Sequence, residues 1–93
     1  MRIADQVLVY VQRLHPLQRR MVKAALRGLE AGRRADTLPL EDQLEGFHRL
    51  RVGKFRLIYR YLPDGEISCE FIDVRATVYE RFMSMREFFH RTR

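Results

Sequence analysis

The stretch at residues 49–61 reads RLRVGKFRLIYRY and alternates apolar with cationic side chains on both sides of Gly53. Successive side chains of a β-strand point to opposite faces, so this period of two predicts two strands with one apolar and one basic face each. Gly53-Lys54 is a turn signal between them. The stretch therefore predicts a β-hairpin with a cationic face. Its basic residues are Arg49, Arg51, Lys54, Arg56 and Arg60.

The residues around this hairpin extend it to a small sheet. The first strand is predicted over FHRLRV at 47–52 and the second over FRLIYRYL at 55–62. The sequence PDG at 63–65 predicts a turn. Proline presets φ, the aspartate side chain can hydrogen-bond to a backbone amide that follows it, and glycine accepts a positive φ. EISCEFIDV at 66–74 is the third strand, and its nearly continuous apolar content predicts a central position. Strands joined by tight turns are antiparallel, so we expect an antiparallel sheet of three to four strands.

Helices are predicted before and after the sheet. DQVLVYVQRL at 5–14 has apolar residues at helical spacing, and Pro16 suits the first turn of a second helix that runs to about Ala31. Residues 33–46 are expected to be a loop. VYERFMSMREFFHR at 78–91 has the pattern of an amphipathic helix.

This order of elements predicts a single α+β domain over residues 1–93. A short connection joins the first two helices, which are expected to form an antiparallel hairpin packed on one face of the sheet. The C-terminal helix completes the chain. The opposite face, which carries the arginines, is expected to be open to solvent or to a ligand.

Composition narrows the class of partner. The chain has 93 residues, 46% of them hydrophobic, and a net charge of +6. This balance indicates a folded domain and favours a polyanionic partner, which can be nucleic acid, an anionic membrane or an acidic protein. No apolar run approaches the ~20 residues of a membrane-spanning helix, and we expect a cytoplasmic protein. The lone Cys69 is predicted to be a small buried hydrophobic residue.

The basic face has two interpretations. An antiparallel sheet commonly exposes one polar face, so a single arginine there is usually only solvated. Arg49, Arg51 and Arg56, however, come from adjoining strands, and like charges that face each other destabilise a sheet. Because the planar guanidinium group suits phosphate, the set favours an anion-binding surface. Tyr79, just beyond the third strand, adds a hydroxyl group that can donate a hydrogen bond or transfer a proton.

Residues 44–82, LEGFHRLRVGKFRLIYRYLPDGEISCEFIDVRATVYERF, resemble the RelE/ParE superfamily of bacterial toxins from toxin–antitoxin pairs. With the upstream helices, the resemblance covers roughly residues 5–83. No single motif is specific, but their order is fairly specific. The matching residues are Leu44-Glu45-Gly46, Arg49, Arg51, Gly53, Phe55-Arg56, Tyr59, Arg75 and Tyr79.

The resemblance implies chemistry on RNA. RelE-type members cleave mRNA in the ribosomal A site without a metal or other cofactor, by attack of a 2′-hydroxyl group on the neighbouring phosphate. It implies that Arg56 and Arg75 clamp this phosphate and that Tyr79 handles a proton or stacks on a base. Arg49 and Arg51 match the basic pair of the first strand. Lys54 and Arg60 are further candidate RNA contacts.

The general base is the open question within this resemblance. Family members often have lysines where this chain has Arg49 and Arg51, and arginine does not deprotonate in proteins. Glu45 is the candidate base, because it lies next to the basic strand in sequence. His48 is expected to point to the face opposite Arg49. The family also begins with a strand, and Met1 to Ala4 are too few to predict one, so we expect a sheet edge that is either open or covered by another chain.

Three functions remain open from the sequence. The leading one is a RelE-like mRNA interferase, the toxin of a type II toxin–antitoxin module. The second is a ParE-like inhibitor of DNA gyrase, and the third is a non-catalytic module that binds an antitoxin and helps to repress their operon. The expected partners are a cognate antitoxin, with a heterotetramer as one assembly left open, and mRNA on the ribosome with contacts to ribosomal RNA. No membrane is expected.

Overall fold

The computed structural model describes the backbone of residues 1–91 and the side chains of residues 1–87. The strands are β1 (Arg2–Ile3), β2 (Thr37–Pro39), β3 (Phe47–Val52), β4 (Phe55–Tyr61) and β5 (Ile67–Asp73). The helices are α1 (Asp5–Gln12), α2 (Pro16–Glu30) and α3 (Val78–Arg91), with a short 3-10 helix at Asp42–Leu44. The strands form one sheet in the order β1-β5-β4-β3-β2. The predicted α+β class is confirmed.

The predicted number and direction of the strands were wrong. The sheet has five strands and is mixed, because β1 runs parallel to β5 while the other pairs are antiparallel. Arg2 pairs with Ser68 and Ile3 with Cys69, and the amide of Ala4 donates to the Cys69 carbonyl at 2.9 Å. The expected open edge of β5 is therefore covered by the N-terminal residues themselves. A strand of two residues is too short for its periodicity to be recognised in a sequence.

The second missed strand, β2, lies in the segment that was expected to be a loop. It pairs with β3 through three residues, Thr37 to Pro39. Pro39 has no amide hydrogen, and such a residue is tolerated in a sheet at an edge strand. Here β2 is an edge of the sheet.

The helical hairpin differs in detail from the prediction. Helix α1 ends at Gln12, two residues early, and it is tied to the sheet as well as to α2. The Gln6 side chain donates to the carbonyl of Ile72 at 2.8 Å and accepts from the Ile72 amide at 2.9 Å. It therefore pairs with β5 as another strand would. The His15 ring accepts from the Leu17 amide at 3.3 Å, and α2 begins at Pro16 as predicted.

Apolar residues cover both faces of the sheet. On one face, α1 and α2 bury a core that includes Val7, Val22, Leu57 and Ile72. Cys69 lies fully buried in this core, as predicted, and burial raises the pKa of its thiol to about 12. None of the helices within residues 1–91 is long and apolar enough to cross a bilayer.

The other face is partly covered by α3, so the expectation of a fully open basic face was wrong. Phe82 is 1% exposed and packs on Phe47 and Phe71, with ring centroids 5.2 Å and 5.9 Å away. Val78 and Ile58 complete this second core, together with Leu44. The reason is that apolar residues alternate along this face with the arginines, and burying them stabilises the fold.

Candidate functional site

Three arginines lie together on the face that α3 partly covers, and we call Arg49, Arg51 and Arg56 the cationic row. The sheet register places Arg51 directly opposite Arg56, and Arg49 lies two residues from Arg51 on the same face of β3. Among the side chains that the structure describes, no carboxylate oxygen lies within 4.0 Å of a nitrogen of these three residues. The repulsion between Arg51 and Arg56 is therefore not offset by an ion pair.

Helix α3 leaves one end of this row uncovered. Its apolar contacts on the sheet are made to Phe47, Ile58 and Phe71, whereas Arg51 and Arg56 lie beyond Ile58, towards the β3–β4 turn. Arg51 is exposed and Arg56 is half-buried. Arg49 lies half-buried, and its Nε atom is buried without a hydrogen-bond partner in the described part of the chain. A cationic surface is thus held next to an apolar core.

Arg75 comes to the same end of the sheet from the turn that follows β5. Asp73, the last residue of β5, lies opposite Arg56 in the register, and Arg75 follows it by two residues. Arg75 is exposed. The register therefore places the turn that carries Arg75 at the end of the sheet where β4 begins with Arg56 among its first residues. Their role in binding a phosphate stays a prediction.

Lys54 and Arg60 lie at opposite ends of β4. Lys54 occupies the exposed β3–β4 turn, close to Arg56 in sequence, with its Nζ atom 5.7 Å from the ring centroid of Phe55. Arg60 pairs with Glu70 at 3.7 Å and lies over the ring of Phe47. Arg60 is thus paired with a carboxylate, in contrast to the cationic row. The cause is a register irregularity in β5 that leaves Glu70 without a strand partner and next to Arg60.

Tyr79 and Glu45 are not brought to the cationic row by any hydrogen bond or ion pair that the structure describes. Tyr79, in the first turn of α3, lines an open cleft of about 480 Å³ together with Leu40, Asp42 and Met83. Glu45 is exposed and directly follows the 3-10 helix at the wall of this cleft. The structure therefore places the two candidate proton-transfer groups beside residues 41–45, which we call the acidic loop because they include Glu41, Asp42 and Glu45. Their catalytic roles stay predictions.

Tyr10 is a residue of this region that sequence analysis did not find. Its ring packs edge-on against Phe55, with the centroids 6.2 Å apart. The charges of Asp73 and Arg75, in and after the end of β5, act in opposite directions on the pKa of its hydroxyl group. Burial, and then the charge of Asp73, raises the pKa of Tyr10. No sequence signal connects α1 with a turn more than sixty residues later, so only the fold reveals this contact.

A second group of polar and aromatic side chains lies on the opposite face of the sheet. His48 stacks on Tyr59, with ring centroids 5.2 Å apart, and meets the ring of Tyr61 edge-on at 5.3 Å. Arg34 lies over the ring of Tyr61 at 5.4 Å. His48 thus points away from Arg49, as the alternation predicted. Burial, and then the charge of Arg34, lowers the pKa of His48.

The lowered pKa of His48 predicts a pH dependence of stability. Because the unfolded chain binds this proton more readily, the free energy of unfolding is unaffected above the usual pKa of 6.5 and decreases as the pH falls through the lower folded value. We expect His48→Gln to have a flatter stability profile between pH 7 and pH 5 in urea-unfolding experiments. Superimposable slopes for the two proteins would show that His48 is not the titrating group.

Metal-ligating side chains do not cluster in the part of the chain that the structure describes. No group of three or more His, Cys, Asp and Glu residues among them is placed to hold a metal ion. The polar groups that the region does contain are its guanidinium groups, the hydroxyl groups of Tyr10 and Tyr79, and the carboxylates of the acidic loop.

Comparison with known proteins identifies the fold. No protein-family model and no curated protein sequence matches the chain. The structure is similar to a chain of the RelB–RelE antitoxin–toxin complex from Methanococcus jannaschii, with a TM-score of 0.68 and 15% sequence identity over 88% of this chain and 99% of that chain. It is also similar to a chain of the RelBE2 toxin–antitoxin complex from Mycobacterium tuberculosis, with a TM-score of 0.56 and 22% identity over 80% and 94% of the two chains.

These likenesses define the class of fold. Because the sequences are only 15% and 22% identical, the two comparisons establish a shared fold and not a shared activity. It is a fold that occurs in toxin–antitoxin complexes, each of which contains a toxin and an antitoxin. The activity of this chain therefore has to be argued from its own residues.

Proposed function

We propose that this protein is the toxin of a type II toxin–antitoxin system and that it cleaves mRNA on the ribosome. The single observation that carries the proposal is the direct opposition of Arg51 and Arg56, with no carboxylate partner among the described side chains and with the turn that carries Arg75 at the same end of the sheet. Like charges in this arrangement destabilise a sheet, so a bound anion gives the best account of them. Arginine binds phosphate through two parallel hydrogen bonds, which supports an RNA phosphate as that anion.

The proposed chemistry follows the RelE-type reaction. Arg56 and Arg75 hold the scissile phosphate and stabilise the negative charge that grows on its oxygen atoms in the transition state. The 2′-hydroxyl group of the preceding ribose attacks the phosphorus atom and gives its proton to a base, while the 5′-oxygen leaves and accepts a proton. The products are a 2′,3′-cyclic phosphate and a 5′-hydroxyl end. Glu45 is proposed as the base. Tyr79 is proposed to transfer a proton or to stack on a nucleobase.

The charge of the chain supports the role of toxin. The net charge of +6 and the cationic row suit a protein that contacts RNA phosphates. The partner would be an acidic antitoxin that contacts the sheet region and shields Arg49, Arg51 and Arg56, since complementary charge accelerates association. The two structural neighbours are chains of toxin–antitoxin complexes. A heterotetramer with the antitoxin and a cytoplasmic location belong to the same proposal.

One observation favours inhibition of DNA gyrase as the second candidate function. The residues of the cationic row cannot act as a base, and Glu45 and Tyr79 lie by the cleft of the acidic loop. A ParE-like inhibitor of gyrase would need no proton transfer. The third candidate, a non-catalytic module, would be favoured by a domain that lacks the family's first strand, and β1 is present.

Incubation with two targets separates these functions. The purified protein would be added to ribosomes programmed with a defined mRNA and, in parallel, to gyrase with relaxed plasmid. The interferase proposal expects cleaved mRNA and undisturbed supercoiling. Intact mRNA together with blocked supercoiling would replace it with the gyrase reading.

Binding to ribosomes is expected to weaken steeply with salt. Each phosphate neutralised on single-stranded RNA contributes a slope of about −0.7 to the logarithm of the binding constant against the logarithm of salt concentration. Contacts from Arg51, Arg56 and Arg75 would together contribute about −2. Arg51→Ala removes one of these contacts and should make the slope shallower by about 0.7. Binding that hardly changes between low and moderate salt would indicate a protein target.

A further inference from the structure

The buried carboxylate of Asp73 connects three parts of the chain at the end of the cationic row. The residue is 6% exposed, and a buried charge has to be hydrogen-bonded or paired. Its Oδ1 atom accepts from the amides of Val74 at 2.7 Å and Arg75 at 3.3 Å. Its Oδ2 atom lies 2.9 Å from Nε of Arg81 on α3. One carboxylate thereby fixes both the turn that carries Arg75 and the beginning of α3.

The same turn is also held by hydrogen bonds on either side of it. The Gln6 side chain of α1 bonds to both backbone groups of Ile72, just before the turn, and the amide of Val78 donates to the carbonyl of Arg75 at 3.1 Å. The backbone of Arg75 is therefore restrained on both sides, although its side chain is exposed. An exposed arginine on a restrained backbone loses less conformational freedom when it binds a ligand.

Asp73 also lies where it could have neutralised the cationic row. It is opposite Arg56 in the sheet register, yet its ion pair is with Arg81. The charge of Arg81 offsets that of Asp73, so that the charges of Arg56 and Arg75 are left for an external anion. The carboxylate orients the turn without cancelling the charge that the proposed site needs.

We propose that Asp73 is a positioning residue, which holds the turn so that Arg75 and Arg56 bind one RNA phosphate together. The identity of this anion rests on the function proposed above. The role of Asp73 is indirect, because its own oxygen atoms are occupied by Val74, Arg75 and Arg81. Its effect on RNA binding should therefore depend on the presence of the Arg75 side chain.

A double-mutant cycle tests this dependence. The probe is a 2′-O-methyl oligoribonucleotide, whose blocked 2′-oxygen prevents cleavage, so that affinity alone is measured. We expect Asp73→Asn to weaken binding about tenfold, because one charge-assisted phosphate contact is misplaced. In an Arg75→Ala background, the same substitution should change the affinity less than twofold, since the group it positions is absent.

Asp64→Asn is the matched control. The Asp64 carboxylate also holds a turn, through a 2.9 Å hydrogen bond from the amide of Glu66, but at the opposite end of β4. Both substitutions raise the net charge by one, and this alone would strengthen binding to RNA. A loss of affinity with Asp73→Asn and none with Asp64→Asn would therefore oppose the general electrostatic trend and support the proposal.

Two results would overturn the positioning role. One is unchanged affinity in Asp73→Asn, and the other is an equal loss in the Arg75→Ala background, which would indicate general disruption. If Asp73→Asn fails to fold in a thermal-unfolding assay, Arg81→Gln replaces it in the same cycle, because this change removes the ion pair and retains the carboxylate. Wild-type protein that binds the probe but does not cleave mRNA on ribosomes would contradict only the interferase proposal. Wild-type protein that does not bind the probe would overturn the positioning role.

Discussion

Arg56→Ala and Arg75→Ala are each expected to lower the rate of mRNA cleavage on the ribosome by about 10²–10³-fold. Both residues would donate hydrogen bonds to phosphate oxygen atoms whose negative charge grows in the transition state. Loss of one such donor typically costs ~3 kcal/mol of transition-state stabilisation. Single-turnover cleavage of a programmed mRNA measures the effect, and arrest of bacterial growth on expression should be lost in parallel.

The control for this prediction removes an arginine elsewhere. Arg20 is exposed on α2, on the helical side of the sheet, so Arg20→Ala lowers the net charge equally without altering the cationic row. It should retain the wild-type cleavage rate to within a few-fold. Circular dichroism would establish that all three variants are folded. Full toxicity of both Arg56→Ala and Arg75→Ala would refute the proposed site.

Phe82→Ala is expected to have the largest effect on stability, with a loss of about 3–5 kcal/mol in the free energy of unfolding. Phe82 is 1% exposed and anchors α3 on the sheet through its contacts with Phe47 and Phe71. Truncation removes this burial and leaves a cavity. The loss is large relative to the total stability expected of a small domain, so much of the protein should be unfolded without denaturant.

Urea unfolding of Phe82→Leu, which keeps part of the apolar volume, should show an intermediate loss. Leu17→Ala is the control, because Leu17 is 62% exposed on α2 and its removal should change the free energy of unfolding by no more than about 0.5 kcal/mol. Similar stabilities for Phe82→Ala and Leu17→Ala would mean that α3 does not pack on the sheet as described.

The strands that were predicted well are those with a long local pattern. Strands β3, β4 and β5 each have six or seven residues, and their alternation or apolar content is visible in the sequence. Strands β1 and β2 have two and three residues, and they form only because β5 and β3 offer unpaired edges. Their existence depends on tertiary pairing, which no local pattern encodes.

The candidate site was predictable to a smaller extent. The basic face of the hairpin follows from alternation, and the register then places Arg51 opposite Arg56. The pairing of Arg60 with Glu70 depends on an irregularity in β5, which the sequence does not signal. The position of α3 could not be predicted either. Its amphipathic pattern indicates a helix but does not specify which sheet face the helix covers.

The measurement that tests the account most directly maps the cleavage of an mRNA held in the ribosomal A site. Two messages would be compared, one all-ribose and one with a single 2′-deoxynucleotide at the attacking position. We expect the wild-type protein to cut the first within the A-site codon, leaving a 2′,3′-cyclic phosphate, and to leave the second intact. An Arg56→Ala variant should cut neither at a comparable rate. Equal cleavage of both messages would contradict 2′-hydroxyl attack, and no cleavage of either would contradict the assignment of the cationic row to mRNA cleavage.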